Sequence, residues 1–390
     1  MARTTCPFCF YGIDSSKLGY LCARQGHVKC PPVVDPERRD ITGSGIASGR
    51  YLPPEPTVRK GVAKCGNCQG ETRRRACPKC HTGLSIDFVD TKNPMLGMVG
   101  SKGSGKTVLM TVMIQQLRKV VAQRFNADIA IAVDNPDGMN SISEYMKGRE
   151  QAIYKDGNLP GGTGTFEADG RIPIVLRWRA DRKSTMLAFL DSAGEDFTSS
   201  ESVSAVRYLH ACQYLMVALD PFSLPGARAA LNLPPQALQS TTDNAALHAL
   251  EQVTQQLRTH HQLKPGKLLS TDVAFVFTKI DAFFPTLEEG DPLMATAPPA
   301  VAYDEGDGMA VHEQMRTLLK EWDAEEIDRH ISNNYASYRY FGVSALGGQP
   351  NFDAAKGWQV AAGGVRPHRV QDPILWLMSK ARMVRAVKPK

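Results

Sequence analysis

The chain has 390 residues, 42% hydrophobic and 22% charged, with a formal net charge of +6. That length can bury one large core and leaves room for a second module, and the charge is modest enough that Arg73-Arg74-Arg75 and the basic tail from Lys380 read as solvated surface. There is no run of about 18 apolar residues, and the first thirty residues carry cysteines and charges where a secretory leader would be apolar, so no membrane span and no leader are expected, and a cytoplasmic location is.

Eight of the nine cysteines precede residue 100, largely as CxxC pairs, and in a reducing compartment that spacing argues for metal rather than disulfide; Cys212 reads as core filling. Cys6-Pro-Phe-Cys9 is a knuckle whose sulfurs can grip one ion, and Cys22 and Cys30 follow at distances that complete a four-sulfur set. His27 is an alternative ligand there, beside the plainer reading of a solvated loop histidine. Residues 31–60 are polar and rich in Pro, Gly and Ser, as a connector would be. Cys65-Gly-Asn-Cys68 and Cys77-Pro-Lys-Cys80 then form a zinc-ribbon pair, because two turns can present four thiolates to one ion. Two structural Zn²⁺ are expected, one on each set of four; alternation of the pairs between two ions is not distinguished by spacing. Expected boundaries are a first knuckle module over 1–35, a linker over 36–60 and a zinc ribbon over 61–90. Nucleic acid is a partner such ribbons take, yet the aromatic residues needed for base stacking are sparse here.

Met95 to Met110 reads as an apolar strand, a glycine loop and the first turn of a helix. Gly100 to Thr107 fits GxxxxGK(S/T), the phosphate-binding loop. Gly100, Ser101, Lys102, Gly103, Ser104 and Gly105 supply backbone N–H groups, Lys106 a charge for the β- and γ-phosphates, and Thr107 a hydroxyl for Mg²⁺. Apolar residues at helical spacing continue the helix to about Arg124, and Ile129 to Val133 suits a short strand. Leu159 to Thr165, rich in glycine, sits where a mobile switch would sit. Thr163 or Thr165 could complete the Mg²⁺ shell there, and an ordinary loop is the alternative. Ile172–Trp178 and Met186–Asp191 suggest an antiparallel hairpin at a sheet edge. The second strand runs into Asp191-Ser-Ala-Gly194, a DxxG motif in which Asp191 serves Mg²⁺ and the N–H of Gly194 the γ-phosphate. Glu195 follows, a candidate base for the attacking water that could equally repel the γ-phosphate.

Gln213–Leu219 and Val273–Phe277 read as buried parallel strands, with an amphipathic helix over Asn244–Leu257 between them. Thr278-Lys279-Ile280-Asp281 follows at once and fits (N/T)KxD: Asp281 accepts from guanine N1–H and the 2-amino group while the Lys279 stem covers the base. Adenine lacks that donor pair, so the motif selects GTP and GDP. Residues 283–309 read as a Pro- and acid-rich surface loop, Met315–Ile331 as a helix and Tyr338–Val343 as a last strand. Ser344-Ala345-Leu346 ends that strand, where the N–H of Ala345 would meet guanine O6. Residues 347–366 are loop-like, and a closing helix starts at Pro373.

In this order the motifs resemble those of Ras-type and translation-factor GTPases of the TRAFAC class, over about residues 94 to 385. With CPxC knuckles ahead of GSKGSGKT, the chain resembles the bacterial double-GTPase family. The resemblance implies an α/β fold: a P-loop GTPase domain over 94–385, its sheet mostly parallel with one antiparallel edge strand and helices on both faces. Insertions fall near 221–245 and 283–310, and small zinc-ribbon modules precede the domain. It further implies a Mg²⁺-dependent GTPase or nucleotide switch acting on a protein partner, in a bacterial conflict or signalling system. An ATPase of the same class, and a zinc-ribbon adaptor that binds GTP with little turnover, are the alternatives.

Overall fold

A computed structural model of the chain describes residues 3–14, 16–24, 28–42, 47–54, 58–59, 61–85, 93–131, 142–160, 173–181, 183–191, 209–231 and 243–388. Two compact units are formed, one from residues 1–95, 128–146 and 166–190, the other from residues 96–127, 147–165 and 191–390. The fold class is α/β, with a mostly parallel large sheet.

The N-terminal segment is built from short strands: β1 (Arg3–Thr5), β2 (Gly12–Asp14), β3 (Gly19–Leu21), β4 (Tyr51–Leu52), β5 (Val58–Arg59), β6 (Val62–Lys64), β7 (Glu71–Thr72) and β8 (Arg75–Ala76). They make a β1–β2 hairpin, a sheet of order β4-β3-β8 and another of order β5-β6-β7. The stretch that its composition marks as a connector is structured in part: helix α1 (Pro36–Thr42) lies in it, Val33 bridges Ser48, and β4 pairs with β3. Polar composition misleads there because so small a unit has little apolar surface to bury.

The large sheet draws on β9 (Met95–Gly100), β10 (Asp128–Ile131), β11 (Ile174–Ala180), β12 (Lys183–Asp191), β13 (Tyr214–Leu219) and β14 (Leu269–Phe277). A two-residue strand β15 (Tyr303–Asp304) lies outside it, and β16 (Tyr335–Gly342) completes it. In the first unit β10, β11 and β12 pair antiparallel in that order, so the expected hairpin is present and β10 lies on its outer side; two antiparallel pairings stand where a single edge strand was expected. In the second unit β9, β13, β14 and β16 pair in parallel, with β13 between β9 and β14. β9, β13 and the Val273–Phe277 part of β14 are buried nearly throughout, as parallel strands covered on both faces must be, which is why their sequences are apolar runs; β16 is buried in its second half and carries Ser337 and Arg339.

Helix α2 (Lys106–Gln116) follows the phosphate loop and buries Leu109, Met110, Val112, Met113 and Ile114. Buried on nearly all sides, Thr111 and Gln115 included, it is a core helix, and it continues through a π-helical turn, Leu117–Val121, to Arg124. Helix α3 (Ala245–His260) is amphipathic, burying Ala246, Leu250, Val253 and Leu257. The expected helix over 315–331 is two, α4 (Glu305–Glu321) and α5 (Glu325–Asn334); Trp322 and Asp323 break it, the latter at φ 52°. Residues 283–309 are largely exposed or half-buried but pinned to the core: Phe283 and Leu293 are fully buried, the guanidinium of the buried Arg369 donates to the Ala295 carbonyl at 3.0 Å, and the last residues already belong to α4. Within 347–366 a hairpin forms, β17 (Asn351–Asp353) with β18 (Gly357–Gln359). Helix α6 (Asp372–Lys380) closes the core with Trp376. Among the described residues no helix is long and apolar enough to cross a membrane.

Candidate nucleotide site and cysteine clusters

At the end of β9, Gly100 lies opposite Ala218 of β13, and a Cβ on it would sit 2.2 Å from the Ala218 carbonyl oxygen. Only glycine lets the loop leave the sheet there. Gly103 and Gly105 take φ values of 78°, which turn the loop into the first residue of α2. Four loop carbonyls are held by four side chains, one of them Ser104 itself, whose Oγ donates to Ser101 O at 2.8 Å. The Lys106 ammonium donates to the carbonyls of Gly100 at 2.9 Å and Ser101 at 2.8 Å. Thr278 Oγ1 donates to Ser104 O at 2.9 Å, and Lys279 Nζ to Gly103 O at 3.1 Å. Carbonyls facing an anion would repel it, so fixing them on donors favours the loop geometry in which N–H groups are left for phosphate. Ser101 is buried, and its Oγ has no partner among the described residues, a hydroxyl that a phosphate oxygen would satisfy.

The base motif stands against this loop because β14 lies beside β13. Thr278 N–H donates to Leu219 O at 3.1 Å, and Val343 N–H to Phe277 O at 2.8 Å, joining the ends of β13, β14 and β16. Lys279 adopts a left-handed φ of 58° and Asp281 sits in the short 3₁₀ turn Ile280–Thr286 that follows. The turn at Ser344, Ala345 and Leu346 is closed by Gly347 N–H on Ser344 Oγ at 2.8 Å. Ser344 exchanges two backbone hydrogen bonds with His368. Burial lowers the His368 imidazole below its ordinary value, and the Asp281 carboxylate acts in the opposite direction. Phosphate loop, base motif and final turn thus lie within one unit, with Thr278 and Lys279 in direct contact with the loop. Thr163, Thr165, Gly194 and Glu195 lie outside the described residues; β12 runs to Asp191 as its sequence suggests.

The cysteines gather into two sets of four, differently from the pairing expected of their spacing. Cys6 and Cys9 join Cys77 and Cys80, and Cys22 and Cys30 join Cys65 and Cys68. The pairs are nested, outer with outer and inner with inner, neither sequential nor alternating. Antiparallel pairing of β3 with β8 is the reason: Gly19 lies opposite Ala76, so Cys77 is delivered to the start of β3 and Cys22, after its end, to the β7–β8 side. Thr72 Oγ1 fixes that end by donating to Leu21 O at 2.7 Å. Sulfur separations are 3.7 Å for Cys6–Cys80 and Cys9–Cys77, 3.6 Å for Cys22–Cys68 and 3.5 Å for Cys30–Cys65. A tetrahedral Zn²⁺ with bonds of about 2.3 Å needs sulfurs about 3.8 Å apart, whereas a disulfide needs about 2.05 Å. In the outer set burial raises the Cys6 thiol, and the hydrogen bond from Cys6 lowers Cys77. His27 lies outside the described residues. His81, next to Cys80, is held by Asp35 at 2.8 Å and stacks on Tyr51 at 3.6 Å.

One residue that no motif flags is Asp220, buried at the end of β13 with its carboxylate 2.7 Å from Lys279 Nζ. The signal for it was its place alone, since ligands of open α/β sheets bind at the carboxyl ends of strands.

A sequence model of the family described as Double-GTPase 2 matches residues 94–360. The chain is also 25% identical over 329 residues to SaeC of Mycolicibacterium smegmatis, a protein named for ESX-1 scaffolding and assembly; the match covers 78% of this chain and 79% of that protein.

Proposed function

Since the chain belongs to the Double-GTPase 2 family, we propose that it is a Mg²⁺-dependent nucleotide switch whose GTP-bound form engages a protein partner. One observation carries the reading: both polar side chains at the start of the base motif, Thr278 and Lys279, donate to carbonyls of the phosphate loop, so base and phosphates would be read by one connected structure. In this reading the nucleotide domain spans 94–385. Gly100 to Gly105 cradle the phosphates, and Lys106 exchanges its two loop carbonyls for β- and γ-phosphate oxygens. Asp281 accepts from guanine, and Ala345 N–H donates to O6. Thr107 and Asp191 would hold Mg²⁺, with Thr163 or Thr165 completing its shell; the ion supplies positive charge beside the γ-phosphate. Glu195 is the carboxylate that the sequence offers to the attacking water, and hydrolysis is slow or partner-activated, because that residue can also repel the phosphate.

Each cysteine set would hold one structural Zn²⁺: the sulfur separations match the edges of a tetrathiolate site, which leaves no open position for catalysis. The zinc-bearing segment and the name of the M. smegmatis relative both support a partner within a multi-protein assembly. Titration with labelled GDP, GTP and ATP tests the reading. Guanine nucleotides should bind at least 100-fold more tightly, by order of magnitude, because adenine leaves the Asp281 acceptor unpaired; a preference for ATP overturns it. Single-turnover phosphate release, with and without cell extract, separates a hydrolase from a GTP-bound adaptor.

A further inference from the structure

The carboxylate of Asp220 divides its oxygens between two tasks. Oδ1 accepts from Phe222 N–H at 3.0 Å, capping the 3₁₀ turn Pro221–Ser223. Oδ2 lies 2.7 Å from the Lys279 ammonium, which also donates to Gly103 O and stands 4.8 Å from the centre of the Phe222 ring. An ammonium has three N–H donors; Asp220 and Gly103 take two and leave one for a ligand. The Asp220 side chain is 5% exposed and that of Lys279 35%, so the anchor is buried while its partner reaches the surface at which a base would lie. A free lysine loses rotamer entropy when it is ordered by a ligand, and here that freedom is already removed by a charged pair within the protein.

We propose that Asp220 is a positioning residue of the nucleotide site, acting through Lys279: it holds the ammonium on Gly103 so that the lysine stem already lies where the face of the base will rest, and the phosphate loop is tied to the base motif before nucleotide arrives. This rests on the guanine-nucleotide reading above. A merely structural Asp220 would serve only the turn through Oδ1. Asp220→Asn separates the two roles, since the amide oxygen can keep the cap while the negative charge that faces Lys279 is lost.

The test measures dissociation constants and off-rates for labelled GDP and GTP in four full-length proteins: wild type, Asp220→Asn, Lys279→Met and the double variant. Asp220→Asn should weaken both nucleotides about tenfold, mostly through faster dissociation, as loss of a desolvated charge partner does. In the Lys279→Met background the same change should alter affinity less than twofold, because the residue through which it acts is gone. Equal losses in both backgrounds, or wild-type affinity for Asp220→Asn, overturn the proposal. Should Asp220→Asn fail to fold, Lys279→Met decides: wild-type affinity in that protein overturns it. Wild-type protein that binds no guanine nucleotide sinks the underlying reading instead, before any variant is compared.

Discussion

Thr278 Oγ1 donates to the carbonyl of Ser104 at 2.9 Å across 174 residues of sequence. It also lies 3.3 Å from Leu219 O, so one hydroxyl touches the ends of two elements, both of them buried. Thr278→Val keeps the shape and removes the donor, leaving the Ser104 carbonyl unpaired. An unmade buried hydrogen bond costs about 1–3 kcal/mol. We expect guanine-nucleotide affinity to fall roughly 5- to 150-fold by that figure, with Mant-GDP fluorescence as the readout.

Asp281 should decide the base. Asp281→Asn replaces an acceptor by an amide whose N–H suits a carbonyl at C2, as in xanthine, and opposes the guanine 2-amino donor. Affinity for GTP should drop by about two orders of magnitude while xanthosine triphosphate gains. Competition binding with both triphosphates checks it; unchanged preference for GTP removes Asp281 from base recognition.

Gly100 is constrained by space. An added Cβ would meet the Ala218 carbonyl oxygen at 2.2 Å, a backbone atom that the parallel pairing of β9 with β13 holds in place. Gly100→Ala should therefore destabilise the fold by about 1–3 kcal/mol, the usual cost of overpacking. Chemical denaturation should show a lower midpoint, with a loss of nucleotide binding beyond that stability change.

The nested pairing of cysteines has its own signature. Cys6→Ser and Cys80→Ser should each lose the same metal ion, and Cys22→Ser and Cys68→Ser the other, giving about one Zn²⁺ per chain against about two in wild type. Combining Cys6→Ser with Cys80→Ser should leave one ion, whereas Cys6→Ser with Cys68→Ser should leave none. Alternating pairing predicts the reverse for these two double variants, sequential pairing predicts no ion in either, and metal analysis by mass spectrometry tells the three apart.

His210 predicts a pH dependence of stability. Its ring stacks on His260 at 3.3 Å, and burial first, then His260 and His261, bring the imidazole down to about 4. An ordinary histidine titrates near about 6.5. Between those values the unfolded chain binds a proton that the folded one refuses, so stability is complete above pH 6.5 and is lost as pH falls towards 4. Thermal midpoints should decline through that window, and His210→Gln should flatten the decline; an unaltered slope assigns it elsewhere.

The motifs of the candidate nucleotide site were legible because each is a contiguous run whose residue types have local jobs: a strand, a glycine turn, a lysine. The strands that carry them were legible for a related reason, since burial on both faces leaves no room for polar interruption in Tyr214–Leu219 or Val273–Phe277. What escaped was long-range. Cys6 and Cys80 are joined by a sheet register, which spacing does not encode, and Asp220 is a lone carboxylate whose meaning comes from Lys279, 59 residues on. Residues 283–309 escaped because their packing is done by Phe283, Leu293 and Arg369, too few and too scattered to show a period.

The nesting of the cysteine pairs also bears on synthesis. A chain made from its N-terminus exposes Cys6 and Cys9 first, yet their partners Cys77 and Cys80 come last of the eight. The inner set, Cys22, Cys30, Cys65 and Cys68, can close sooner, and its closure shortens the loop that the outer set must span. Metal loading on the ribosome should then run from the inside outward, and the outer thiols would wait, reduced and open to oxidants, until residue 80 has left the exit tunnel.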